Sequence, residues 1–351
     1  MKMNKQFGLT NQLRGIFTIN RVRNGETTVV RKENMVVDSG LAAILHPAMK
    51  VGEDGENVLD VVEYARILKV SNDEEVVTPS TTDIGDVVAT KTESLLSRET
   101  REEFVNNQGM AEDADGKYLF SRNEWIFEPG EIPSAISKIG VFSVKYDEAG
   151  LPVENELYAA TALTDSEGAV TSITPFEDES FAITYESRWY LPLNDVVIPN
   201  VDLKAVGVLD ITVRSVGIPQ SHPRASKLLQ ATSAQFSHNV LDDYDPTHPP
   251  ALVFSSSLIH NAETPYDDLE LFLEADRDNY TVTETFDLSA KTVTITIHLG
   301  RNQIWPAAAR SAILYTSRGI YYLGFSKGID KAVGSRRTIT LNLTFKIGRK
   351  V

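Results

Sequence analysis

The chain has 351 residues, of which 42% are hydrophobic and 24% charged, with a formal net charge of −15 and no cysteine. That length suits two domains, and the composition is that of a soluble globular protein. The missing cysteines exclude disulfides, thiolate catalysis and zinc–thiolate sites. No apolar run reaches the roughly 18 residues of a membrane helix, and MKMNKQFGLTNQLRGIF lacks the apolar core of a secretory signal.

The charge is unevenly spread. Residues 1–50 hold eight Lys/Arg and three Asp/Glu, a surplus of +5. Residues 51–196 hold ten and 31, a deficit of −21, and residues 197–351 hold sixteen and fifteen, or +1. So acidic a middle repels nucleic acid. A solvated acidic face is the ordinary meaning of such a run. The sharper reading is that the basic N-terminal arm, with Lys2, Lys5, Arg14, Arg21 and Arg23, docks on an acidic surface of a partner or another copy.

In chain order, GIFTINRVRNGETTVVRKENMVV (Gly15–Val37) reads as a hairpin, with Asn24-Gly25 suited to a type I′ turn. DSGLAAIL (Asp38–Leu45) is a short helix, capped by Asp38 or Ser39 and limited by Pro47. ARILKVS is a strand, followed by the polar loop NDEEVVTPSTTDIGDVVATK, where Ser80, Thr81 or Thr82 can cap a helix. EWIFEPGEIPSAISKIGVFS gives two strands about a Pro/Gly turn, and ELYAATAL a further one. FAITYESRWYLPL alternates strictly, with Phe181, Ile183 and Tyr185 on one face and Ala182, Thr184 and Glu186 on the other.

Near residue 197 the texture changes. Pro199 and Pro219 bracket a strand pair, and residues 220–250 hold a short helical stretch and then a polar, proline-rich loop. YTVTETFDLSAKTVTITIHLG turns between Phe286 and Val293, and RTITLNLTFKIG alternates again. The fold expected is mainly β: two β-sandwich-like domains, 1–196 and 197–351, with short helices and long loops. The halves echo each other. Pro133, SAISKIGVFS, ELYAATAL and FAITYESRWYL have counterparts in Pro306, RSAILYTS, GIYYLGFS and TITLNLTFKIG. The second domain therefore reads as a candidate diverged duplicate of the first.

Chemistry-bearing motifs are scarce. The six histidines (46, 222, 238, 248, 260 and 298) form no i, i+4 pair and no HExxH. LDDYDPTHPP gathers Asp242, Asp243, Asp245 and His248 without the spacing of an EF-hand loop. GxSxG, GxGxxG and Walker-type phosphate loops are missing. Trp125, Trp189, Tyr190, Trp305, Tyr321 and Tyr322 could stack on sugars, but most lie inside strand patterns, where core packing is their ordinary use. No enzyme, cofactor or metal site is predicted.

One ordered set of motifs carries a resemblance. ENMVVDSGLAAIL is followed by RILKVSNDEEVVTPSTTDIGDVV, then AISKIGVFS, ELYAATAL and FAITYESRWYL. This order resembles the tail-fibre, collar and baseplate components of tailed bacteriophages. In those, Asn-x-Val leads into a Gly-Leu helix, a TxPS-like loop precedes a helical Asp-x-x-Leu element, and an Ile-Gly-Val-Phe segment and Leu-Tyr-Ala follow. Two departures stand out: Lys138 sits where Glu is common, and acidic NDEE replaces a Gly-rich turn. The resemblance implies a β-sandwich virion component, assembled in the host cytoplasm as an oligomer, whose partners are copies of itself and other virion proteins. A carbohydrate-binding module that recognises a host-surface glycan is the alternative. Neither reading involves nucleic acid or a membrane span.

Overall fold

The computed structural model describes residues 10–45, 49–51, 57–59, 62–92, 108–146, 152–190, 196–203, 207–216, 251–256, 271–274, 280–287, 289–299, 308–316, 319–329 and 339–350. Lys2, Lys5, Trp305 and the 220–250 segment lie outside them.

The chain is mainly β, as its alternation requires. β1 (Thr10–Arg23) and β2 (Glu26–Val36) form the first hairpin. Its turn residues Asn24 and Gly25 have φ of 51° and 79°, the left-handed pair that a type I′ turn needs. The helix α1 (Asp38–Leu45) follows, then the short hairpin of β3 (Met49–Val51) and β4 (Asn57–Leu59). Next come β5 (Val62–Ser71), β6 (Val87–Lys91), β7 (Gln108–Asp113) and β8 (Gly116–Phe127). β9 (Lys138–Tyr146) and β10 (Pro152–Ala162) are the IGVF and LYA segments, and β11 (Ser180–Tyr190) is the alternating strand.

In the second half, β12 (Val196–Leu203) pairs with β13 (Gly207–Val216). β14 (Ala251–Ser255), β15 (Leu271–Glu274), β16 (Tyr280–Asp287) and β17 (Thr292–Leu299) follow. β16 and β17 form the expected hairpin, with Phe286 opposite Val293. β18 (Ala309–Thr316), β19 (Gly319–Ile329) and β20 (Ile339–Arg349) complete the chain.

Two sheets of the first half face each other. One runs β7-β8-β11-β1-β2. The other runs β10-β9-β5-β6, and β2 crosses to it at Met35 and Val36, which pair with Ala160 and Ala159. Between them lie Leu13, Phe17, Ile19, Trp125, Phe127, Phe181, Ile183, Tyr185 and Trp189 from the first sheet, and Val36, Leu68, Val70, Ile139, Val141 and Tyr158 from the second. A further sheet runs β12-β13-β19-β18-β14-β15. The strands β16-β17-β20, although they follow residue 197, join the sheet of β1, because Thr10–Leu13 pairs in parallel with Lys346–Arg349.

The motifs of the first half converge on one place. Gly40 of α1 lies so close to β10 that an added Cβ would stand 2.0 Å from the Tyr158 carbonyl oxygen. The Asp38 amide donates to the Pro79 carbonyl at 2.8 Å, and the Ser39 hydroxyl to that of Leu157 at 2.5 Å. Gly140 leaves room for Ile84, whose Cγ2 would be 2.7 Å from an added Cβ. The loop after Pro79 forms no helix. Ile84 is fully buried, its carbonyl accepts from the Ser71 hydroxyl at 2.6 Å, and Gly85 has φ of 76°. That anchor and that left-handed residue are incompatible with continuing a helical turn.

Gly40→Ala is expected to cost about 1–3 kcal/mol, as overpacking against backbone does. Urea unfolding of the variant beside the parent measures it, and an unchanged midpoint would show that the α1–β10 approach relaxes freely.

Candidate functional site

The candidate site is the charged surface around β1. β11 turns Tyr185, Ser187 and Trp189 inward, where they are buried, so Glu186, Arg188 and Tyr190 fall on the opposite, outer face. Register then places Arg14 of β1 opposite Arg188, and Arg122 of β8 opposite Glu186.

Two like-charge neighbours on this face would repel unless carboxylates were interleaved. They are. Arg188 binds Glu186 at 2.5 Å and Asp113 at 2.7 Å, and Arg122 takes the other Glu186 oxygen at 2.5 Å. The Tyr190 hydroxyl donates to the same Asp113 oxygen at 2.7 Å. Arg14 binds Asp115 at 2.8 Å and Glu33 at 3.4 Å. Lys350, from the end of the chain, donates to the Asp115 carbonyl at 2.9 Å and lies 3.8 Å from the centre of the Tyr190 ring. Arg188 in turn lies 4.3 Å from the centre of the Tyr118 ring.

Burial works to raise the Asp113 carboxyl, but the Tyr190 hydroxyl, the Asp115 amide and the Arg188 charge outweigh it and hold it low. Burial is also the main cause that raises the Tyr190 phenol, and its bond to Asp113 adds to it. A carboxylate so held stays ionised at neutral pH and is a poor proton donor. The chemistry of the cluster is cohesion.

The remaining cations of the arm follow the same rule. Arg21 makes a bidentate pair with Glu179 at 2.7 and 2.9 Å. Arg23 binds Asp178 at 2.7 Å and stacks over Phe176 at 3.8 Å. Arg14, Arg21 and Arg23 therefore all have carboxylate partners in their own chain. The basic C-terminal end does likewise. Arg349 and Lys291 both bind Asp38 at the start of α1, and Arg349 also donates to the Val36 carbonyl. The Arg349 bond, then the Lys291 bond, depress the Asp38 carboxyl.

Sequence reasoning passed over Glu186, Arg188 and Asp113. The alternation that marked the inner face of β11 also marked Glu-x-Arg-x-Tyr as an outer-face set, and that was the available signal. Lys138, which the sequence marks as a departure from the resemblance pattern, is buried and paired with Asp73 at 3.2 Å.

Among the described residues no group of three or more His, Cys, Asp or Glu is placed to hold a metal ion. The Asp242–His248 segment lies outside them. No described helix is long and apolar enough to cross a membrane. Comparison with protein-family models, with curated proteins and with solved structures finds no match.

Two predictions follow from the pairing. Arg188→Ala takes one of two arginine partners from the buried Glu186 and the arginine from Asp113, and is expected to cost on the order of 3 kcal/mol. Arg122→Ala, whose side chain is 42% exposed, should cost less than about 1 kcal/mol. Equal losses on urea unfolding would refute the network described here. The second concerns acid. Asp38, Asp73, Asp113, Glu131 and Glu179 are all held below their ordinary values. Their contribution is present above the unfolded values near about 4 and is lost as pH falls through the lower folded ones. The thermal midpoint should be level from about pH 7 to 5 and should fall below about pH 4.

Proposed function

We propose that this chain is a structural component of a tailed-phage virion, a tail-fibre, collar or baseplate part that assembles with copies of itself and with other virion proteins. The observation that carries this reading is the packing of the resemblance motifs. Gly40, Pro79, Ile84, Gly140 and Tyr158 come from four separated segments and meet at one junction. The motifs thus act together to shape a fold, as expected of a family whose members share architecture rather than catalysis.

The two departures from the pattern also support it, because they compensate each other. Lys138, in the position where Glu is common, binds Asp73 of the NDEE segment that replaces the Gly-rich turn. The carbohydrate-binding alternative is less well supported. Trp125, Trp189, Tyr190, Tyr321 and Tyr322 are all buried, so none offers a flat face to a sugar.

The proposal places the partner contact on the start of the arm, which carries Lys2 and Lys5. Deletion of residues 1–9 spares β1, which starts at Thr10, whereas deletion of 1–14 would remove the Thr10–Leu13 pairing with β20. Light scattering on the full chain should give a multiple of 38.8 kDa. The 1–9 deletion should shift that mass toward monomer with an unchanged thermal midpoint. A monomer at tens of micromolar from the full chain would remove self-assembly from the proposal. An oligomer that persists without residues 1–9 would remove the arm.

A further inference from the structure

We infer that the chain is a fused dimer: one nine-strand unit occurs twice, and the two copies meet on the single strand β1. The inference stands apart from the virion reading and rests on strand order and register.

The first unit's main path is β1-β2-β10-β9-β5-β6, with the ladder β7-β8-β11 joined to β1 through β11. The second unit's is β12-β13-β19-β18-β14-β15, with β16-β17-β20 as the ladder. Each strand of the first set has its counterpart at the same place in both the sheet and the chain order. Unrelated meanders share strand spacing, but they have no reason to share a permuted order of this kind.

Register sharpens the match. Across the first unit, one row of paired residues reads Met35–Ala160–Gly140–Lys69. Across the second, the row Thr212–Gly324–Ser311–Ser255 occupies the counterpart strands β13, β19, β18 and β14. The next row, Val36–Ala159–Val141–Leu68, lies in the core and corresponds to Val213–Leu323–Ala312–Phe254, of which Val213, Leu323 and Ala312 are core residues too. A slip of one residue in any strand would turn its core residue to the other face. The sequence keeps sparse anchors of the same alignment: Thr78-Pro79 and Thr264-Pro265 after the β5 and β14 strands, and Pro133 and Pro306 before β9 and β18.

The join explains why the copies are not alike at β1. The order through it is β7-β8-β11-β1-β20-β17-β16. β11 runs antiparallel to β1 and β20 parallel to it, so β11 and β20 run in opposite directions. The two three-strand ladders are therefore related by a pseudo-two-fold axis through β1, the arrangement of an isologous dimer. A strand has a direction, so only one unit's first strand can fill the centre. β1 fills it, and its counterpart β12 keeps ladder pairing with β13. The partner that this surface evolved to fit is a second copy of the unit, now carried in the same chain.

The cysteine-free chain permits a direct test. The first unit's register predicts that Ser255→Cys with Ser311→Cys forms a disulfide under mild oxidation, as the counterpart of Lys69 opposite Gly140. Ser255→Cys with Ala312→Cys, one residue out of register, should not. Peptide mass spectrometry reads both. A bridge at 312 in preference to 311 overturns the duplication, and so does no bridge at either position in variants whose circular dichroism matches the parent. Thr10→Cys with Lys346→Cys tests the fusion. The link is expected within one chain, and a covalent dimer on a non-reducing gel would show that β1 receives β20 from a neighbour instead. None of these readouts depends on virion assembly, so they fail or succeed separately from the functional proposal.

Discussion

Strand β1 is hydrogen-bonded along both edges, and the fold is organised around that constraint. One edge is taken by β11 over Gln12–Val22. The other is divided between β2, over Gly15–Arg23, and β20, over Thr10–Leu13. The alternation of β1 sends Leu13, Phe17 and Ile19 into the sandwich and leaves Arg14 outside. Gly15 is required at the point where the second edge changes partner. An added Cβ there would stand 2.0 Å from the Asn34 side-chain oxygen and 2.6 Å from the Tyr185 hydroxyl. No larger residue could bring β1, β2 and β11 together at that level.

The charge distribution follows from the same arrangement. Segments 1–50 and 51–196 carry opposite surpluses because they share sheets, with the basic residues on β1 and the acidic ones on the loops and strands beside it. Arg14 with Asp115, Arg21 with Glu179 and Arg23 with Asp178 are all of this kind. The C-terminal cations extend the pattern across the two halves, where Lys350 reaches Asp115 and Arg349 reaches Asp38. A basic arm beside an acidic body reads in one dimension like complementarity between molecules. In three dimensions Arg14, Arg21 and Arg23 show complementarity within one.

Strands, turns and the mainly β class were legible because they rest on local rules. Period-two alternation located β11 and β20, and Asn24-Gly25 located the first hairpin. β3, β4, β7 and β15 are short or polar, with too few alternating positions to declare themselves. The sequence reads the segment after Pro79 as a polar loop whose Ser80, Thr81 or Thr82 could cap a helix, and Ser80 and Thr81 bond instead to Thr78. What overrides them is tertiary: Ile84 is drawn into the core beside Gly140. The ionic cluster was hidden for the same reason. Asp113, Arg122 and Arg188 lie on three strands, and nothing local brings them together.

The echo between the halves was visible as texture, and register explains why so little more survived. What a duplicated sheet must keep is which residues oppose which, since a slip turns the core face outward. Side-chain identity is freer, provided that each position stays suitable for its face. Gly140 shows where the freedom ends. It is glycine because Ile84 packs against it, and its counterpart Ser311 carries the Cβ that Gly140 cannot. The residue facing Ser311 need not then be an Ile84 equivalent. Divergence of this kind erases identity position by position while every ladder stays in place. A comparison of residues would therefore lose a duplication that a comparison of pairings retains.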